Sequence, residues 1–300
     1  MIVSSCNPAC CCYRDVSAVA HGRRRPARHA PIVHWRCPVP TGTGRSGIRP
    51  DASAIFNFAN HIRDPGQPNI ISLPQQFRAY NYTVLGGGKT FHYDHPPYFD
   101  DTGPHGSWSS EVAPYFPFRE YGGSIDTTPC PLPAGYVENP AKLEPQACGL
   151  DLPLEQFYDV RLANHTVQTL RLASSIDQPF FVMAGFRRPH RVFRVQKRFW
   201  DMYPDPSTIA VAKIQTRDPS QPEIAFHHGD FTLANGSYYP GNADLPWPTV
   251  VQQIARKGYY AAVSQTDFCV GMVLDELDRL ALAATTVVVI HSDHVRLLSA

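Results

Sequence analysis

The chain has 300 residues, 43% of them hydrophobic, which suits one large α/β domain or one domain with a ragged end. Its 27 Lys and Arg nearly balance its 26 Asp and Glu, so bulk charge points to neither nucleic acid nor an anionic membrane. No apolar run approaches the roughly eighteen residues that would suggest a membrane span.

Residues 1–46 differ from the rest. They hold Cys6, Cys10, Cys11, Cys12 and Cys37, the basic run Arg23-Arg24-Arg25, and no helical or strand period. An irregular or disordered N-terminal segment is the expectation for 1–46. A zinc site from Cys6, Cys10, Cys11, Cys12 and His21 is the sharper alternative, but the spacing lacks two C-x2-C pairs at a finger-like distance. The first twenty residues have no continuous apolar stretch and do not read as a signal peptide. Against that, the acceptor triplets at Asn81, Asn164 and Asn235 lean towards a secretory route, lysosomal or extracellular.

From residue 47 the text is regular. Leu73–Tyr80 has apolar residues at helical spacing behind Ser72, a candidate N-cap. Asn81–Leu85 reads as a short strand leading into Gly86-Gly87-Gly88-Lys89. Residues 155–176 place Phe157, Val160, Leu162, Val167, Leu170 and Leu172 on an amphipathic helix, which Asp177-Gln178-Pro179 ends. Phe180–Ala184 (FFVMA) reads as a strand buried on both faces. Two helices are expected at about 248–263 and 266–281, and Thr285–Ile290 (TTVVVI) reads as the clearest buried strand. Proline, at 29 residues about twice the ordinary share, gathers in the loop-like stretches 95–153 and 201–248. The order of elements implies an α/β sandwich with a largely parallel sheet, in which ligands gather beyond the carboxyl ends of strands.

Polar clusters stand at those ends. Asp293-His294 follows the last strand and could face a divalent cation, or cap a turn and lie exposed. Lys89 and His92 follow the glycine triplet and could contact an anionic ester, or be a solvated Lys and His in a loop. The triplet is no P-loop, because Thr83 stands where the first glycine of that motif belongs. Arg187, Arg188 and His190 follow FFVMA and would suit an oxyanion, or form a surface basic patch.

Read together, Gly47-Ile48-Arg49-Pro50-Asp51, LPQQFRAYNYTVLGGGKTFH, PFFVMAGFRRPHRVF, GYYAAVSQTD and VVVIHSDH resemble, in this order, the type I sulfatases of the iduronate-2-sulfatase branch. The resemblance covers about residues 47–295 and makes 47–300 a partial sulfatase catalytic domain. It implies an alkaline-phosphatase-like α/β/α sandwich, incomplete at both ends, that hydrolyses sulfate esters of saccharides such as glycosaminoglycans. By the family's pattern Asp293 and His294 would be late calcium ligands. Lys89 and His92 would bind sulfate or assist the nucleophile, and His190 would contact sulfate or act near the leaving oxygen. Arg187 and Arg188 would bind substrate. Cys130 and Cys148 fall where this branch has a disulfide-closed loop.

The family's nucleophile is a formylglycine made from the cysteine of C-x-P-S-R, twelve residues before the Arg of R-P-D. Cys37 has that offset from Arg49, but Val39 and Thr41 stand where Pro and Arg belong. Cys6 has Pro8 but Cys10 in place of the Arg, and no Asp-Asp occurs before Asp100-Asp101. The chain stops six residues after His294, short of the family's later active-site lysine and C-terminal subdomain. An intact middle between altered ends reads as a partial or frame-disturbed sulfatase gene. The chain as given is expected to be inactive, with a non-catalytic sulfate- or glycan-binding protein as the alternative and a phosphodiesterase of the same superfamily as a third option.

Overall fold

A computed structural model describes residues 2–5, 63, 71–91, 106–109, 114–116, 130, 147–213, 220 and 249–292. The expected site residues Cys37, His92, Asp293 and His294 lie outside these, as do Cys6 to Cys12, His21 and Asn235. The chain divides into two compact units, one of Met1–Glu120, Arg161–Phe186 and Val270–His291, the other of Tyr121–Val160, Arg187–Cys269 and Ser292–Ala300.

The first unit is built on a four-stranded sheet in the order β2-β4-β1-β6. Strand β1 is Ile2–Ser5, β2 is Thr83–Gly88, β4 is Phe180–Gly185 and β6 is Thr286–Val289. β2 runs parallel to β4, with Thr83 opposite Phe180 and Gly88 opposite Gly185. β1 is antiparallel to both β4 and β6, so β4 and β6 run the same way. A strand at Ile2–Ser5 departs from the expectation for residues 1–46. Four residues show no period, and it is the two flanking strands that make them a strand by taking up their backbone groups.

Helix α1, Leu73–Ala79, begins where expected. The Ser72 side chain accepts from Gln75 N–H at 3.2 Å, and Gln75 Oε1 accepts from Ser72 N–H at 3.2 Å, a reciprocal cap. The helix lays Phe77 on the sheet, stacked on Phe181 at 4.2 Å between ring centroids. Val84, Trp108 and Phe181 form the buried centre there, with Leu73, Tyr82 and Phe91 packed around it.

β6 corrects the reading of TTVVVI. Thr286 is buried, Val287 to Val289 are half-buried and Ile290 is 61% exposed. The reason is its place at the end of the sheet order, away from the doubly covered β4.

The second unit carries a parallel pair, β3 (Ala147–Leu150) with β5 (Phe193–Gln196), followed by the short α3 (Lys197–Trp200). Cys148 in β3 is disulfide-bonded to Cys130 with Cα atoms 5.6 Å apart, the pairing that the resemblance implied. Ala147, Phe193, Val195 and Phe199 pack against Ile254, Ala261 and Ala262. Gly258 is required here, since a Cβ would lie 2.6 Å from that of Ala147.

Two longer helices remain. α2 is Tyr158–Ala173, inside the expected 155–176, and α4 is Thr249–Arg279. The expected pair of helices at 248–263 and 266–281 is thus one helix of 31 residues. No proline interrupts the run, and the Gln265 side chain accepts Gln196 N–H at 2.9 Å.

Within the first unit the ends of α2 and α4 are tied through Glu276, which accepts from Arg171 Nε and Arg279 Nε, each at 2.7 Å. The Arg279 bonds, then the Arg171 bonds, hold its carboxyl at about 2, down from the ordinary 4.5. A depressed carboxyl contributes its stabilisation in full above the ordinary value and loses it as the pH falls through the folded one. Glu276→Gln is expected to lower the melting temperature by a constant amount at neutral pH, with the difference from wild type shrinking between about pH 4.5 and 2. Thermal melts across a pH series check this; a gap that widens on acidification contradicts the clamp.

Candidate functional site

The glycine triplet belongs to β2 itself, not to a loop after it. Gly86, Gly87 and Gly88 have φ of 138°, 156° and 74°, which side chains on L-residues disfavour. A Cβ on Gly86 would lie 2.1 Å from Met183 O, one on Gly87 1.9 Å from Tyr115 O, and one on Gly88 2.4 Å from Gly185 O. The glycines let β2 press against β4 on one side and Tyr115 on the other. Tyr115 N–H donates to Gly86 O at 3.0 Å, and Gly88 N–H to Tyr115 O at 2.8 Å. The triplet thus serves the close contact of β2 with its neighbours.

Lys89 comes next. Its N–H donates to Gly185 O at 2.6 Å, which fixes where the residue leaves the sheet, at the carboxyl end of β2 beside that of β4. Its side chain is half-buried. Tyr115, which the sequence reading did not single out, also stacks on His165 of α2 at 4.4 Å.

In the second unit, Arg187-Arg188-Pro189-His190 forms a turn held from behind. The Asp159 carboxylate accepts Arg187 N–H at 2.7 Å and Arg188 N–H at 3.0 Å. Burial pushes the Asp159 carboxyl up, against the Arg188 charge and these two bonds. Arg188 is only 7% exposed, and its guanidinium donates to Arg194 O at 3.3 Å and His190 O at 3.4 Å. Its fork therefore serves the turn, where a substrate contact was expected. Arg187 is half-buried and His190 exposed. His190 Nδ1 lies 2.5 Å from Arg191 O; a carbonyl only accepts, so Nδ1 carries hydrogen and Nε2 is the lone-pair nitrogen of the neutral ring.

Asp159 escaped the sequence reading because it looked like an ordinary acidic residue in the first turn of a helix. Its partners stand 28 and 29 positions away, and no local pattern announces them.

The described residues offer calcium no site. Among the described residues, no group of three or more His, Cys, Asp or Glu could hold a metal ion. In the sequence, Asp293-His294 offers one carboxylate and one imidazole without an earlier Asp pair, whereas calcium takes roughly six to eight oxygen ligands.

The profile of the sulfatase family matches residues 47–300. Human (Homo sapiens) iduronate 2-sulfatase is 29% identical over 252 residues, covering 83% of this chain and 44% of the relative. The mouse (Mus musculus) iduronate 2-sulfatase is 27% identical, over 98% of this chain and 53% of its own length. A sulfatase of Formosa agariphila is 28% identical, over 86% and 50%. The chain spans about half the length of the curated relatives it matches.

The close strand approach sets a test. Gly86→Ala is expected to destabilise by on the order of 3 kcal/mol or more, because Met183 O is backbone and cannot swing aside. Denaturant unfolding measures it; a loss below about 1 kcal/mol, or the small gain that Gly→Ala gives where the backbone is unstrained, would contradict the approach.

Proposed function

The chain belongs to the sulfatase family, and from that premise we propose that it is part of a sulfuric ester hydrolase acting on sulfated saccharides, and that these 300 residues alone do not turn the ester over. The family match carries the reading. Lys89, delivered to the carboxyl end of β2 by the glycine contacts, supports it, since ligands of parallel sheets gather at that end. Lys89 and His92 would bind the sulfate group, Arg187 would add positive charge, and His190 would act near the leaving oxygen.

Chemistry at sulfur needs an activated nucleophile. None of the cysteines stands in C-x-P-S-R, and Cys269, the free cysteine among the described residues, is buried with its thiol pushed up by desolvation. Nor do the described residues offer a calcium site. The residues present can hold and orient an anionic ester without supplying its attacking group.

A secretory route, lysosomal or extracellular, fits the Cys130–Cys148 disulfide and the exposed acceptor residues Asn81 and Asn164. No helix among the described residues is long and apolar enough to cross a membrane.

A second reading is a non-catalytic binder of sulfated glycans through Lys89, Arg187 and His190. It is favoured by the contrast between these polar groups and the absent nucleophile motif.

Two measurements test these readings. The 300-residue chain is expected to show no turnover of an aryl sulfate, with or without calcium; calcium-dependent turnover would overturn the assignment of inactivity. A sulfated heparin disaccharide is expected to bind in a salt-sensitive manner, and Lys89→Ala to weaken it about tenfold, the scale of one charged hydrogen bond. Absence of wild-type binding would sink the binding reading.

A further inference from the structure

Arg187 and His190 sit on a segment with little secondary structure, so something must hold their backbone still before either can orient a ligand. The segment from 187 to 196 is pinned by buried polar groups along its length, all within the second unit. At its start, the Asp159 carboxylate, itself buried, takes both Arg187 N–H and Arg188 N–H. The Arg188 carbonyl lies 3.2 Å from Thr266 Oγ1 on α4, whose single proton it shares with the Ala262 carbonyl at 3.0 Å. At its far end, Gln196 N–H donates to the Gln265 side chain, which is 1% exposed and adjoins Thr266 in sequence. In between, the Arg188 guanidinium closes the turn on the His190 and Arg194 carbonyls.

We infer that Asp159 and Thr266 are positioning residues for the sulfate ester, acting through the backbone of Arg187 and Arg188. This rests on the reading that Arg187 and His190 meet the ester. The two anchors hold the peptide units on either side of the Arg188 Cα, Asp159 through the Arg188 N–H and Thr266 through the Arg188 carbonyl. Together they remove the rotations that would otherwise swing Arg187 and His190 apart. A carboxylate suits the first anchor because it accepts two donors at once. An amide in its place would turn an NH2 group towards one of the N–H groups and leave that group unsatisfied in a buried place. The charge has a local counterpart in the Arg188 guanidinium, the main favourable charge acting on it.

The test uses the full chain, a sulfated heparin disaccharide as probe, and the variants Asp159→Asn, Thr266→Val and Arg187→Ala. Asp159→Asn is expected to weaken binding about tenfold and Thr266→Val about threefold, with cooperative unfolding retained. Because each anchor works through Arg187, adding Asp159→Asn to Arg187→Ala should weaken binding much less than it weakens the wild type, a non-additivity that general loss of stability would not produce. Should Asp159→Asn fail to unfold cooperatively, Thr266→Val, alone and combined with Arg187→Ala, decides. Wild-type binding together with folded variants that bind equally well, or with losses that add in full, overturns the positioning role and leaves the binding reading standing. Absence of wild-type binding overturns both.

Discussion

For six residues Thr83–Gly88 runs in register beside Phe180–Gly185, and over its last three residues β2 has no side chain to hold its neighbours off. That close parallel approach governs the first unit. It brings the Tyr115 backbone against the other edge of β2, sets Lys89 against the Gly185 carbonyl, and lets Leu162 of α2 come over Gly88. Larger residues at 86–88 would push these layers apart, since the atoms they would meet are mostly backbone. The glycines thus act on the site indirectly, by fixing where the strand ends.

The buried charges follow a similar logic. Glu276 and Asp159 are both carboxylates removed from water, and each is kept by donors from elsewhere in the chain. Glu276 meets two guanidinium groups and its pKa falls; Asp159 meets two backbone N–H groups and one Arg, and burial still dominates. The difference is chemical. Arg171 and Arg279 reach Glu276 with charged, directed hydrogen bonds, whereas Asp159 lies deep beside neutral donors. One carboxylate ties two helices, and the other holds the turn that bears Arg187 and His190.

Among the described residues no group of three or more His, Cys, Asp or Glu could hold a metal ion, and no cysteine of the sequence stands in C-x-P-S-R. The described residues supply scaffold and positive charge: Lys89 at the carboxyl end of β2, and a braced turn carrying Arg187 and His190. Recognition of an ester and its cleavage are separable tasks, because orientation is supplied by fixed groups while cleavage needs an attacking atom.

Elements whose signals are local were readable from the residues. Ser72 and Gln75 marked the start of α1, FFVMA marked β4, and the apolar spacing marked α2, since capping and periodicity involve residues three or four apart or alternating ones. The order of motifs identified the family. Tertiary structure alone decided that Ile2–Ser5 would be a strand between β4 and β6, that TTVVVI would be only partly covered, and that the triplet would serve strand contact. It alone paired Asp159 with Arg187 and Arg188. The physical reason is common to these cases: a backbone donor, a buried carboxylate or a missing side chain acquires its role from the group it meets, and here that group lies far along the chain.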